Sequence, residues 1–134
     1  MQRELVMKDL FMQIILATAF SFLVACAPAK LEEIQRSTCA NGGIDAVVAT
    51  KETDATVGTP TEVYVVPEKE GPAGDPVLRV DKAKGLRVIW GENDNLVVYA
   101  DSARVFLYTP ELTVRAHDGS IHVVSVRLDI KNKS

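Results

Sequence analysis

Apolar and polar positions alternate in short runs from residue 44 to the end of the chain. Val, Ile, Tyr and Thr are frequent in these runs, and turn-forming residues separate them. A period of two places the apolar side chains on one face of a β-strand. The pattern therefore predicts strands over 44–51, 61–66, 77–81, 86–90, 96–100, 104–109, 112–117 and 120–130. About eight short strands predict an all-β domain, either a small antiparallel sandwich or a bent meander.

The last two predicted strands also predict the loop between them. Their apolar residues all fall at even-numbered positions. A two-residue loop would pair residues whose numbers sum to an odd value, which puts the two apolar sets on opposite faces. A three-residue loop over 117–119 pairs Leu112 with Val124 and brings the sets to one face. It requires Gly119 in the left-handed conformation of a G1 bulge, so we expect a bulged turn.

The N-terminal part of the chain has a different pattern. No charged residue occurs over 10–29, whereas Arg3 and Lys8 precede this stretch and Lys30 follows it. A secretory signal has a basic start, an apolar stretch of about 7–15 residues and small residues at the cleavage site. Residues 11–23 match the apolar stretch. We therefore expect a helical signal segment over 1–25, with Met7 as an alternative start.

The residues at the end of the apolar stretch suggest a role for the cysteine that follows them. The sequence "LVAC", Leu23, Val24, Ala25 and Cys26, resembles the lipobox of bacterial lipoproteins. In that family the cysteine receives a diacylglycerol, and a signal peptidase recognises the three preceding residues and cuts before the cysteine. The resemblance implies lipidation of Cys26, the first residue of the mature chain. Two or three acyl chains anchor a protein stably without a spanning helix.

Two other interpretations of this segment remain open. The apolar run could stay uncleaved as one membrane helix, because about 20 apolar residues span a bilayer. Alternatively, a general signal peptidase could use the small residues of "APA" at 27–29 and release the protein. The lipobox resemblance also implies a location. Ala27 follows the cysteine where Asp would favour the inner membrane, so we expect the periplasmic face of the outer membrane if the organism is Gram-negative.

The segment that follows the cysteine is expected to be a tether. Over 26–38 the chain contains "KLEEIQR", in which Leu31 and Ile34 are three residues apart. This spacing is compatible with one or two helical turns, although so short a helix is marginal by itself. The β-domain is expected over 39–134.

Two further resemblances concern the β-domain. The stretches "NGGIDAVVA", "TEVYVVP" and "GLRVIWGENDNLVVYA" resemble one four-stranded blade of periplasmic β-propellers. A propeller needs about four to eight blades to close its ring, so a single blade cannot form one. The stretch "PVLRVDKAKGLRVIWGENDNLVVYADSARVF" is also similar to small uncharacterised bacterial envelope proteins, which implies a shared fold and no known activity.

Composition narrows the classes of function. The chain has 134 residues, of which 47% are hydrophobic and 25% charged, with a net charge of −3. These values favour a single small globular domain. Its positive charges are scattered and outnumbered, so we expect no nucleic-acid partner. We also expect no cofactor and no metal. His117 and His122 lack further metal ligands at suitable spacing, and we interpret them as a turn residue and a strand residue.

Other candidate residues have structural interpretations as well. We expect Cys39 to be buried, the alternative being an intermolecular disulfide. Trp90 is in phase with Leu86 and Val88, which indicates a core position, the alternative being a contact residue. The carboxylates lie at predicted strand ends, where solvated turns are usual, and include Asp81, Asp101 and Asp129. We identify no catalytic residue.

Two functions are therefore considered. The first is a lipid-anchored cell-envelope protein that contacts protein partners by a strand edge or by a face bearing Tyr99, Phe106 and Tyr108. The second is a small binding module or enzyme that acts on a cell-wall or carbohydrate ligand, for which we would expect a concave face with aromatic residues and carboxylates.

Overall fold

A computed structural model describes residues 31–51 and 59–132. These residues contain nine strands, which are β1 (Leu31–Thr38), β2 (Ile44–Lys51), β3 (Thr61–Pro67), β4 (Leu78–Lys84), β5 (Arg87–Trp90), β6 (Asn95–Ala100), β7 (Ser102–Tyr108), β8 (Glu111–Arg115) and β9 (Ile121–Ile130). The all-β prediction is confirmed. Each of the eight predicted strands corresponds to one of β2–β9, with ends that differ by at most three residues.

The strands form two sheets packed face to face. One sheet has the order β1-β2-β3-β4-β7 and is antiparallel throughout. The other has the order β5-β6-β9-β8, and its central pair, β6 and β9, is parallel. The domain is thus a sandwich rather than a meander, with one parallel pair in addition to the expected antiparallel ones. The segments that resemble a propeller blade are divided between the sheets and do not form one four-stranded blade.

The core lies between the two sheets. Alternate residues of each central strand point inward and are almost wholly buried, including Val48 on β2, Val63 on β3, Leu96 on β6 and Val124 on β9. Burying a branched apolar side chain contributes about 1.5–3 kcal/mol. Trp90 packs against this core and is partly buried, and its indole nitrogen donates to the carbonyl of Ser37 at 2.8 Å.

The last hairpin has the predicted register. Leu112 pairs with Val124 and Val114 with His122, as a three-residue loop requires. Gly119 has a φ of 86°, and its amide donates to the carbonyl of Ala116 at 3.0 Å. The bulged turn is therefore confirmed. The turn has this form because a three-residue loop puts the apolar residues of β8 and β9 on the same face, whereas a two-residue loop would not.

The helical turns expected after Lys30 are wrong, because Leu31–Thr38 is a strand that pairs with β2. A bulge between Glu33 and Gln35 interrupts the pairing at Ile34, which is 57% exposed. A bulge inserts one residue and shifts the side-chain alternation. The local sequence of β1 therefore shows no regular period of two, and Ile34 is not on a buried face with Leu31. The sheet consequently begins at Leu31, inside the segment that the sequence had suggested as a tether.

The two ends of the sandwich carry different connections. One end of the sandwich, which we call the N-terminal end, is the end at which β1 begins. The strands β2, β4, β6 and β9 end there. The opposite end carries four connections, over 39–43, 68–77, 91–94 and 116–120. The polar clusters described below lie mainly at this opposite end.

Candidate functional site

The predicted lipidation site lies outside the described residues. This applies to the signal segment 1–25, to Leu23, Val24 and Ala25, and to Cys26 itself. Within 31–51 and 59–132, no helix has the length and apolarity needed to cross a membrane. The site geometry that can be described therefore belongs to the β-domain.

Three connections at the opposite end meet at Asp94. Asp94 belongs to the tight turn between β5 and β6, where it has a φ of 57°. The β1–β2 turn brings in Cys39, and the last hairpin brings in Ser120 and His122. The parallel pairing of β6 with β9 places Asn95 beside Ser125, and this pairing brings the β5–β6 turn to the start of β9. We call Asp94, His122, Ser120 and Cys39 the Asp94 cluster.

Three residues of the Asp94 cluster form a linear relay. Oδ2 of Asp94 lies 3.1 Å from Nδ1 of His122, and Nε2 of His122 lies 3.2 Å from Oγ of Ser120. Ser120 is exposed, whereas the His122 side chain is only 13% exposed. A serine hydroxyl, an imidazole and a carboxylate in this order are the arrangement that activates a nucleophile in serine hydrolases.

A second carboxylate competes for the Ser120 hydroxyl. Ser120 donates its hydroxyl to Oδ1 of Asp118 at 2.6 Å, and its amide donates to the same oxygen at 2.9 Å. The Ser120 hydroxyl, and next its amide, hold the pKa of Asp118 below its usual value. Since a hydroxyl has one proton to donate, Ser120 must rotate away from Asp118 before His122 can accept that proton.

Cys39 completes the Asp94 cluster on its buried side. The thiol is 4% exposed and lies 3.3 Å from Oδ1 of Asp94. Burial raises the pKa of Cys39, and the neighbouring carboxylate raises it further. A protonated, buried thiol is a poor nucleophile. The expected burial of Cys39 is confirmed.

A buried ionic group occupies the outer face of the first sheet. Asp45 is 1% exposed, and its Oδ2 accepts from Arg36 at 2.7 Å and from the Lys69 amide at 2.9 Å. Burial alone would raise the pKa of Asp45, but these donors outweigh it and lower the pKa. Arg36 also binds the carboxylate of Glu33 and the carbonyl of Glu70. This network ties β1 and the β3–β4 connection to β2.

A second buried carboxylate lies on the same face. Glu62 is 2% exposed and accepts from the Tyr64 hydroxyl at 2.9 Å and from Arg79 at 3.3 Å. Burial, together with the bond to Glu62, raises the pKa of Tyr64 to about 12. Both buried acids are paired, as buried charges need to be. These networks stabilise the outer face of the first sheet.

The other candidates from the sequence do not converge. Asp81 pairs with Arg104 across β4 and β7, and Asp101 lies in the turn between β6 and β7. His117 is exposed and contacts the carbonyl of Glu68, and it does not join His122 at a common site. No group of three or more metal-binding side chains occurs in the part of the chain that the structure describes.

The aromatic face expected from the sequence is not formed. Tyr99 belongs to β6 in the second sheet, where the guanidinium of Arg87 lies 5.1 Å from its ring centre. Phe106 and Tyr108 belong to β7 in the first sheet. The hydroxyl of Tyr108 donates to the carbonyl of Val126 at 2.5 Å. Tyr99 is therefore on a different sheet from the two rings of β7, and the three rings do not form one face.

The Asp94 cluster was missed in the sequence because no local pattern joins its members. Asp94 and His122 are 28 residues apart, and only the parallel β6–β9 pair brings their turns together. Comparison of the chain with protein-family models, with curated proteins and with solved structures found no match.

Proposed function

We propose that this chain is a lipid-anchored protein of the bacterial cell envelope whose β-sandwich serves as an interaction domain. The anchor is a diacylglycerol on Cys26, and the lipobox formed with Leu23, Val24 and Ala25 supports it. Ala27 favours the periplasmic face of the outer membrane in a Gram-negative cell. The domain contacts protein partners in the envelope, and it uses neither a cofactor nor nucleic acid.

The position of β1 is the structural observation that carries this proposal. The first strand begins at Leu31, five residues after Cys26. A fully extended chain advances at most about 3.6 Å per residue, so these residues reach about 18 Å. β1 pairs with β2 from Leu31 to Thr38, with one interruption at the bulge at Ile34. A lipid on Cys26 would therefore hold a folded sandwich close to the membrane surface, without a long spacer.

The anchor is tested by replacing each cysteine in turn. In the wild-type protein we expect a mature chain that starts at Cys26 and carries the mass of the lipid. Cys26→Ser should lack the lipid and move from the detergent phase to the aqueous phase, or remain uncut. Cys39→Ser is the matched control and should keep the lipid, because Cys26 and the three residues before it are unchanged. Intact-mass measurement would refute the anchor if the wild-type chain began at another residue or carried no lipid.

The strand β7 offers the contact surface that fits this function best. It is an edge of the five-stranded sheet, and its Val105 and Phe106 side chains are 40% and 57% exposed. A register shift opposite Arg79 and Val80 leaves Phe106 without a partner on β4. The Arg104 guanidinium lies 4.9 Å from the Phe106 ring centre. An exposed aromatic ring beside an arginine is a composition typical of binding surfaces.

A photo-crosslinking residue at position 106 tests this surface in intact cells. We expect a discrete crosslinked product from position 106 and none from position 121. Ile121 is the matched control because it is 60% exposed but lies on β9, away from β7. Equal crosslinking at both positions, or none at 106, would contradict the assignment of β7 as the contact surface.

A second candidate function is the hydrolysis of an acyl group on a cell-wall or carbohydrate ligand. The relay from Ser120 through His122 to Asp94 favours it. A fluorophosphonate probe, which reacts with activated serines, tests it on the purified full chain. The candidate requires labelling of Ser120 that is lost in His122→Ala and kept in Ser125→Ala, which changes an exposed serine on β9. Absence of labelling, the result expected if the Ser120 hydroxyl stays bonded to Asp118, would exclude this function.

A further inference from the structure

The free edges of the two sheets differ in how they are protected. Among the described strands, β1 and β7 are the edges of the first sheet, and β5 and β8 are the edges of the second. Register shifts interrupt the pairing of β1 and of β7, the Trp90 indole covers the carbonyl of Ser37 on β1, and β5 has only four residues. Bulges, short strands and covered backbone groups keep an edge from pairing with another chain. β8, in contrast, pairs with β9 in unbroken register over Glu111–Arg115.

The backbone of β8 directs alternate hydrogen-bonding groups to its open edge. The amide of Ala116 donates to the carbonyl of Ser120 at 2.9 Å, and the amide of Val126 donates to the carbonyl of Pro110 at 2.8 Å. The even-numbered residues of this strand therefore bond to β9. In an antiparallel strand the residues between them point their N–H and C=O groups away from that neighbour. The residues of β8 that point both groups to the open edge are Glu111, Thr113 and Arg115.

The side chains of these three residues share the outer face of the second sheet, where they are exposed. Within the chain, Glu111 pairs with Ser125 and Arg115 pairs with Ile121, so neither charge faces an opposite charge on β9. Neither of them forms an ion pair with another residue that the structure describes. The edge therefore carries one charge of each sign, placed symmetrically about Thr113.

We propose that β8 pairs antiparallel with β8 of a second copy of this chain, about a two-fold axis that passes through Thr113. In this register the two Thr113 residues lie opposite each other. Glu111 of each copy lies opposite Arg115 of the other, because both are two positions from the axis. All three pairs are of the kind in which opposite residues exchange both backbone hydrogen bonds. Pairs of threonines and pairs of opposite charges stabilise neighbouring strands.

The pairing joins the two four-stranded sheets into one continuous sheet. The same residues of both copies form the contact, so the assembly closes as a dimer and leaves no free β8 edge. The strand β7 is not part of this pairing, and β8 separates Ile121 on β9 from the second copy. The inference does not depend on the lipid anchor. It is compatible with the anchor, because the two-fold axis is normal to the sheet, and two anchored copies reach one membrane when this axis lies along the membrane normal.

A cysteine at the two-fold axis tests the pairing. Opposite residues of a hydrogen-bonded pair have Cα atoms about 5.5 Å apart, a distance that a disulfide spans. Thr113→Cys in the full chain, purified in a mild detergent and oxidised with copper phenanthroline, should therefore give a linked dimer on non-reducing electrophoresis. Peptide mass spectrometry identifies the cysteine that is linked.

Val123→Cys is the matched control for this experiment. Val123 pairs with Thr113 and is 53% exposed on the same face, but it lies one strand further from the axis. Its Cα atoms in the two copies would be about 14 Å apart, beyond the roughly 7 Å that a disulfide allows. We expect no dimer linked through this position.

Charge reversal tests the register of the pairing. In the Thr113→Cys background, Glu111→Arg puts arginine opposite arginine on both sides of the axis, and Arg115→Glu puts glutamate opposite glutamate. Both residues are exposed, so neither change disturbs the core. We expect each change alone to lower the yield of linked dimer at least about fivefold, because like charges directly opposite each other are destabilising.

A mixture of the two charge-reversal variants should recover the linked dimer. In a mixed dimer, with one copy of each variant, every charged pair again joins opposite signs. A small tag on one variant distinguishes this mixed dimer by its size. Equal linkage through Val123→Cys, or no linkage through Thr113→Cys, would overturn the inference. Single reversals without effect, or a mixture that yields no mixed dimer, would overturn it as well.

Discussion

Replacement of Gly119 by valine should destabilise the domain through backbone strain alone. Gly119 has a φ of 86°, a region that a β-branched side chain strongly disfavours. A Cβ atom added there would meet no other atom within 4 Å, so the added Cβ itself causes no clash. A residue forced into such a conformation costs about 1–3 kcal/mol. For a domain of this size each kcal/mol lowers Tm by about 4–8 °C, so we expect a fall of at least about 4 °C.

Gly71→Val is the matched control for this prediction. A Cβ atom at Gly71 would also meet nothing within 4 Å, but the backbone of Gly71 is not in the left-handed region. We expect Gly71→Val to change stability little, and Gly119→Asn to recover part of the loss because asparagine tolerates a positive φ. Denaturant unfolding can be followed by the fluorescence of Trp90, the one tryptophan of the chain. Equal shifts for Gly119→Val and Gly71→Val would refute the strain argument.

Two further predictions concern buried ionisable side chains of the first sheet, namely Asp45 and Tyr64. Asp45→Asn should lower the free energy of unfolding by about 1–3 kcal/mol because a charged acceptor is lost, whereas Glu33→Gln, at the exposed side of the same arginine, should cost less than about 1 kcal/mol. Because the folded-state pKa of Asp45 is lowered, the stabilising effect of its carboxylate is present above about pH 4 and is lost as the pH falls further. The free energies of unfolding of the wild-type protein and of Asp45→Asn should therefore converge in acid. Because the pKa of Tyr64 is raised to about 12, wild-type stability should fall between about pH 10 and 12, and Tyr64→Phe should show a smaller fall. Denaturant midpoints measured across these pH ranges check both predictions, and a pH dependence unchanged by the substitutions would contradict them.

The strands that the sequence predicted are runs of β-forming residues bounded by turn residues, and some of them also show an uninterrupted side-chain alternation. In β9 the even positions Val124 and Val126 are buried and the odd positions between them are exposed, so its period of two is visible directly. In β1 the bulge at Ile34 shifts the alternation, and the same local pattern then fits a helical turn as well. Local periodicity cannot distinguish these alternatives, because the pairing of β1 with β2 is a contact between distant segments.

The candidate site was less predictable than the fold. Burial of Cys39 was expected because it would be a lone thiol in an oxidising compartment, but its contact with Asp94 was not predicted. The relay of Asp94, His122 and Ser120 requires two turns from different hairpins to meet. The buried pair of Glu62 and Tyr64 was not predicted either, because β3 is buried on both faces and shows no alternation.

The sequence by itself determined the class of the domain, the turn at Gly119 and the expectation of a lipid on Cys26. Each of these depends on neighbours along the chain, namely a period of two, a loop length or a short motif. Only the tertiary structure decided that β6 and β9 run parallel, that the Asp94 cluster forms, and that Leu31–Thr38 pairs with β2 as a strand. These features depend on which strands pair across the sheets, and strand pairing is set by the burial of the whole core rather than by any single segment.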